Sequence, residues 1–185
     1  MKIKFKNGDI KEFDSLAGAD LSGADLSNSD FSDANFCKAD LSRTDLSRDD
    51  LSYTNFSEAN LSYANLSRSN LYGSNLYCAN LSGANLSGTN FSGSSLLRAN
   101  FSGAHLCGAD FSGANLSYVK NIIAFYAGNH FAFYVRDSGY LKIGCQGMHI
   151  DCWHEVIGIA GGYSQQEIAE YKAIIETIKS LRNIT

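Results

Sequence analysis

The sequence predicts a mainly β protein built as a solenoid of stacked parallel coils, a β-helix with a small element at each end. Three observations carry that prediction. Leu or Phe recurs at every fifth residue from Leu16 to Leu116, 21 positions without an interruption. A small residue, mostly Ala, stands two positions before it, as at Ala19, Ala39, Ala59, Ala79 and Ala99. The period is absent from residues 1–13 and 119–185. On an α-helix a five-residue step rotates a side chain by about 500°, which sprays these residues over every face. On a flat strand an odd step sends successive side chains to opposite faces. A chain that bends once per repeat instead points every fifth residue at a common axis and hydrogen-bonds each coil to the next.

The elements follow in chain order. Residues 2–6 and 9–13 alternate polar and apolar around Asn7-Gly8, a hairpin signal with a tight turn. Ile3, Phe5, Ile10 and Phe13 are placed to cover the first coil, so residues 1–13 are read as an N-terminal cap. A bare coil end would otherwise expose an unpaired strand edge.

Residues 14–118 carry segments such as ADLSG, ANLSY, ANLSG and ANFSG, and this stretch resembles the A(D/N)LXX repeat of pentapeptide-repeat proteins. The resemblance implies a right-handed quadrilateral parallel β-helix with four repeats per square coil. It also implies that the central Leu or Phe and the small residue two before it point inward, while the residue between them faces out. At 20 residues per coil the array makes about five coils, a rod roughly 25 Å long at a strand spacing of about 4.8 Å. One inward column, Ser29, Asp49, Ser69 and Thr89, is polar. A carboxylate buried alone is costly, so Asp49 is expected to accept hydrogen bonds from Ser29, Ser69 or backbone amides.

Beyond Tyr118 the period stops. NIIAFYA, HFAFYVR and GYLKIG read as three short strands continuing from the last coil, rich in β-branched and aromatic residues. Asp151 opens a short helical segment containing Trp153, and Ser164-Gln165-Gln166-Glu167 is a capping box for a helix to about Arg182. Ile168, Tyr171, Ile174, Ile175, Ile178 and Leu181 recur at helical spacing as one apolar stripe. It packs on the aromatic strands or on a second chain, so residues 119–185 are read as a C-terminal cap or dimerisation module. Some pentapeptide-repeat proteins dimerise through such elements, which leaves a homodimer open. The segment GYLKIGCQGMHIDCWHEVI followed by a helix also resembles tails of phage-encoded repeat proteins.

Catalytic chemistry finds little support. Ser occupies 15 of the 21 positions after the central Leu or Phe because it fills a repeat slot, and no GxSxG, phosphate-loop or dinucleotide motif is present. Cys145, His149, Cys152 and His154 match none of the common zinc spacings, and the carboxylates lack the ligand order of a calcium loop. The reading is therefore no enzyme, no metal and no cofactor. An enzyme or metal protein built in the C-terminal third is the minor alternative. Five cysteines without framework spacing in a chain lacking a signal peptide read as free thiols. No apolar run is long enough to cross a bilayer, so the expected setting is the cytoplasm of a bacterial or phage-infected cell.

Charge gives the functional clue. The net charge of −4 hides −7 over residues 14–60, against +2 over 1–13, +2 over 61–120 and −1 over 121–185. The residue before the central Leu or Phe is Asp at Asp20, Asp25, Asp30, Asp40, Asp45 and Asp50, then Asn almost throughout from Asn55 to Asn115. In a 20-residue register these acids stack in like-charged pairs, which costs stability, so the band is a candidate for binding a basic surface. Duplex DNA carries about one charge per 1.7 Å, a density the band approaches. The resemblance implies a DNA mimic, since some pentapeptide-repeat proteins occupy the DNA-binding saddle of type II topoisomerases. Later coils that are neutral to basic, and the lack of inserted loops, depart from that pattern. The alternative surface is aromatic and basic, with Tyr53 and Tyr72 on one face and Arg48 stacked on Arg68. The leading expectation is a non-catalytic protein-binding module; the alternative is a structural or assembly protein acting through its C-terminal module. Direct nucleic-acid binding is disfavoured by the acidic balance.

Overall fold

A computed structural model describes residues 2–4, 10–120, 122–127, 130–135, 140–143, 146–149 and 165–182. The chain divides into two compact units, Met1–Lys120 and Asn121–Thr185.

The first unit opens with β1 (Lys2–Lys4) paired antiparallel to β2 (Ile10–Glu12), in the register Lys2↔Glu12, Ile3↔Lys11 and Lys4↔Ile10. Asn7-Gly8 and the side chains of Ile3, Phe5 and Ile10 lie outside the described residues. The coils follow. Every rung of the array is a parallel bridge between residues 20 apart, from Asp20↔Asp40 to Asn100↔Lys120. A coil is therefore four five-residue repeats. Each repeat is tied to the next coil in the same way. The amide of the central residue donates to the next coil, as Leu21 to the Asp40 carbonyl at 2.8 Å, and the Asp40 amide returns the bond to Ala19 at 2.9 Å.

The chain bends by a hydrogen-bonded turn from the central residue to the third residue after it, such as Ala24 N–H to the Leu21 carbonyl at 3.0 Å. The corner residue, two after each central Leu or Phe, has φ between +55° and +73° in all 21 repeats. That is the left-handed value a type II turn demands at its third position. Glycine adopts it freely, yet 12 of the 21 corners carry another residue.

Inside, the central column is closed to solvent: Phe36, Phe56, Leu66, Phe91 and Phe101 are fully buried. Rings stack directly between coils, Phe36 on Phe56 at 5.2 Å and Phe91 on Phe111 at 5.0 Å, each pair 3° from parallel. Full burial stabilises each such side chain by about 1.5–3 kcal/mol, and the alanines beside them leave room for the large residues. Inward hydroxyls find carbonyls. Thr44, Thr54 and Thr89 donate to Leu21, Phe31 and Leu66 in the coil below, while Ser69, Ser74 and Ser94 donate to the central carbonyl of their own turn.

Asp49 interrupts this pattern. It is 2 % exposed. Its Oδ1 accepts the Ser29 amide at 2.9 Å, the amide that would otherwise close the Leu26 turn. Oδ2 has no hydrogen-bond partner. Of the donors expected for Asp49, the Ser29 amide serves; the Ser69 hydroxyl is turned to Leu66 at 2.6 Å instead. Burial chiefly, with the charges of Asp45 and Asp25 adding to it, pushes the carboxyl up to about 7 against the opposing pull of the Ser29 and Asn28 amides.

The second unit holds β3 (Ile122–Ala127), β4 (His130–Val135), β5 (Tyr140–Ile143) and β6 (Gln146–His149) in one antiparallel sheet of that order. The three strands expected at NIIAFYA, HFAFYVR and GYLKIG are β3, β4 and β5, and β6 is a fourth that the sequence did not indicate. The fourth strand, QGMH, lacks the β-branched and aromatic residues that mark a strand in sequence, and pairing to β5, with Lys142 opposite Gly147, holds it extended. Helix α1 spans Gln165–Arg182. Ile175 and Ile178 are buried on it and Ile174 is half-buried, while Lys172, Glu176 and Ser180 are exposed. The Trp153 segment and Ser164 lie outside the described residues.

Candidate functional site

The first coils set the six aspartates in three like-charged rungs, Asp20↔Asp40, Asp25↔Asp45 and Asp30↔Asp50. Each also has a local task. Its Oδ1 accepts the amide of the Ser two residues on, at 2.9 Å for Asp30 and Asp40 and 3.2 Å for Asp25. The hydroxyls of Ser22, Ser27 and Ser32 add a second bond to the same oxygens. Ser32 donates twice to Asp30, hydroxyl first and amide second, and holds that carboxyl below its ordinary range.

Asparagine performs the same task in the later coils. Asn60 and Asn65 accept the Ser62 and Ser67 amides at 3.2 Å. They also do something that aspartate cannot, donating Nδ2 to the acceptor one coil below. Asn60, Asn65 and Asn70 bond Asp40, Asp45 and Asp50, each at 3.1 Å. The ladder continues through Asn80 on Asn60 and Asn100 on Asn80. Capping the turn therefore does not account for the charge. An Asp over an Asp forfeits the rung bond and places two carboxylates at strand spacing.

The aromatic and basic residues occupy two adjacent corners. On one, Tyr53 and Tyr72 meet edge to face with ring centres 5.5 Å apart, 59 % and 45 % exposed. Partial desolvation, then Tyr72, pushes the Tyr53 phenol above its ordinary value. The Tyr53 ring lies over Gly73: a Cβ built there would sit 2.8 Å from Cε1. Tyr63 covers Gly83 in the same way, at 2.6 Å. Replacing Gly73 by Ala is expected to cost about 1–2 kcal/mol for the left-handed backbone alone, and to displace the Tyr53 ring. Chemical denaturation reads the first effect and near-ultraviolet circular dichroism the second.

On the next corner Arg48 stands below Arg68, with φ of +63° and +61°. An open depression of about 490 Å³ runs along them, lined by Asn28, Ser47, Arg48, Ser67, Arg68 and Ser87. Lys38 and Glu58 pair at 3.8 Å on another corner. Nine successive corners, Asn28 to Arg68, carry a side chain where later coils mostly use glycine. Sequence reasoning saw the Tyr and Arg substitutions but not the backbone strain beneath them. Glycine at nine of the 21 corners was the available signal.

Of the residues weighed for metal binding, His149 ends β6, and Cys145, Cys152 and His154 lie outside the described residues. Among the described residues no helix is long and apolar enough to cross a membrane.

Comparisons with known proteins bear on the array. The family model for pentapeptide repeats matches eight copies, over residues 15–48, 50–88 and 84–120. No curated protein matches the chain. Among solved structures, a pentapeptide repeat protein from the Arabidopsis thaliana thylakoid lumen is 27% identical, over 57% of this chain and 67% of that one, with a TM-score of 0.33. One from Nostoc PCC 7120 is 34% identical, over 47% and 75%, with a TM-score of 0.43. QnrB1, a plasmid-mediated fluoroquinolone resistance protein, is 28% identical, over 57% and 59%, with a TM-score of 0.35. With the repeat model matching more than half of its residues, in step with the five-residue corners and the 20-residue coils, the chain belongs to the pentapeptide repeat family, whose fold is the right-handed quadrilateral β-helix.

Proposed function

We propose that the protein is a non-catalytic binding module whose acidic first coils occupy the basic groove of a protein partner, as a mimic of DNA. One observation carries this reading. Asn caps the same turns and adds a rung bond, yet three of the four rungs between the first coils are Asp over Asp. Charge retained at a cost to the fold is accounted for by a positively charged partner. The density of the band suits a surface shaped for duplex DNA, and a type II topoisomerase is the finer form of the proposal.

The test compares the wild-type protein with the variant carrying Asn at positions 20, 25, 30, 40, 45 and 50, as paired baits in bacterial lysate. Loss of a DNA-handling enzyme from the variant bait, and from the wild-type bait at high salt, is the expected result. Capture of the same partner by both baits would sink the reading.

A second proposal concerns the ends. Within the unit Asn121–Thr185, the apolar stripe of α1 packs inside its own unit or meets a second copy. The buried Ile175 and Ile178 favour packing within the unit over an open dimer stripe. Sedimentation of the full chain decides between them: a monomer supports packing within the unit, a concentration-dependent dimer the second copy.

A further inference from the structure

The groove along Arg48 and Arg68 lies outside the acidic-band reading. Its two arginines stand in one corner column, their backbones one coil apart at about 4.8 Å, and like charges in one column repel. Among the described residues no carboxylate comes within salt-bridge distance of either guanidinium; the pair that does form is Lys38–Glu58. Of the acids nearest in the chain, Asp49 is buried with its Oδ1 on the Ser29 amide, Asp45 accepts the Ser47 amide and Asn65, and Asp50 the Ser52 amide and Asn70. Both arginines hold a left-handed backbone that costs roughly 1–2 kcal/mol for a non-glycine residue, while Gly88 and Gly108 fill the same column above them. The stacked pair is therefore retained against backbone strain and against repulsion.

The rest of the lining completes the chemistry. Ser47, Ser67 and Ser87 stand beside the arginines, one per coil. Their amides are held by Asp45, Asn65 and Asn85, and their hydroxyls donate to no protein atom among the described residues. By contrast, Ser22, Ser27 and Ser32 spend their hydroxyls on aspartate. Asn28 closes the lower end, at the corner whose turn amide is diverted to Asp49. Two forked cations and a file of free hydroxyls form a donor-rich, acceptor-poor lining. That suits an oxyanion with two charges and several acceptor oxygens better than a carboxylate with one charge and two oxygens.

We propose that this groove binds a phosphomonoester dianion carried on a small molecule. The depression of about 490 Å³ falls within the roughly 300–1,000 Å³ typical of small-molecule sites. The acidic rungs flanking it, from Asp20 to Asp50, repel an extended polyanion running along the rod, whereas a compact dianion contacts only the arginine corner.

The experiment titrates the full-length protein with inorganic phosphate and with phenyl phosphate, at ionic strength held constant with chloride, following thermal stability and the arginine Nε–H resonances. Saturable binding of both is expected. Each of Arg48→Gln and Arg68→Gln should weaken it roughly 10-fold to 100-fold, the loss of one charge-assisted hydrogen bond. Arg98→Gln, at a different corner, should leave binding unchanged, and circular dichroism confirms that the variants remain folded. A linear, unsaturated response, or identical titrations for wild type and the double variant, would overturn the proposal. So would equal binding through the same arginines of an oligonucleotide lacking terminal phosphates, which would make the ligand a phosphodiester strand.

Discussion

Replacing Asp49 by Asn is expected to raise stability at pH 8 and to leave it nearly unchanged at pH 4. The native carboxyl titrates at about 7, against 3.8 when unperturbed, so between those values the folded chain holds a proton that the unfolded chain has released. Native protein then binds more protons than unfolded protein, and stability falls as pH rises through that window. Below it both states are protonated and no penalty exists. Above it the full difference applies, about 4 kcal/mol at roughly 1.4 kcal/mol per unit of pKa. Asn keeps an oxygen for the Ser29 amide and carries no charge. Urea denaturation of both proteins across pH 4–8 measures the effect. A stability difference independent of pH would show that Asp49 is ionised in the native state throughout.

The second large effect is expected from Asp40→Asn, Asp45→Asn and Asp50→Asn combined. Each places an amide above a carboxylate, reproducing the arrangement of Asn60 over Asp40 at 3.1 Å. Relief of repulsion and a new charge-assisted bond together stabilise by about 1–2 kcal/mol per rung, hence about 3–6 kcal/mol for three rungs on separate faces. High salt should stabilise the wild type more than the variant, because screening relieves only the charged rungs. Denaturation at low and high salt provides both readings. If the triple variant gains nothing and salt acts equally on both, the acidic band is not under electrostatic strain, and the argument that its charge serves a partner loses its footing. The Asp45 change also removes a charge that helps keep Asp49 protonated, so the pH profile of the variant should shift toward that of an ordinary carboxyl.

The array was legible in the sequence because its core repeats. An unbroken file of Leu and Phe admits one burial geometry, and the 20-residue coil then fixes which surface residues stack: Asp20 under Asp40, Arg48 under Arg68, Lys38 beside Glu58. What escaped depends on choices that periodicity does not record. The hydroxyl of Ser69 could face Asp49 or its own turn, and the intervening geometry, not the residue type, decides for Leu66. The strand QGMH has no pattern of its own and is held by its neighbour. The left-handed corners were hidden by their occupants: Arg, Tyr and Glu do not announce a positive φ, although the glycines at the corners before and after them do. The serine hydroxyls along the arginine groove were masked by abundance, since Ser in a repeat slot reads as filler until its hydrogen bonds are traced.

The parallel register also separates two kinds of heredity. Loss or duplication of five residues leaves the chain able to bend, bury its next Leu and close its next turn, so the fold survives the event. Everything beyond the change, however, is carried round by a quarter-turn: a residue that stood above Arg68 would then stand above its neighbour's column. Only a change of 20 residues, the spacing of every rung, returns each later side chain to its old meridian. Lineages of such arrays can thus drift freely in length by single repeats, while a surface that a partner reads is inherited intact only when the gene grows or shrinks by whole coils.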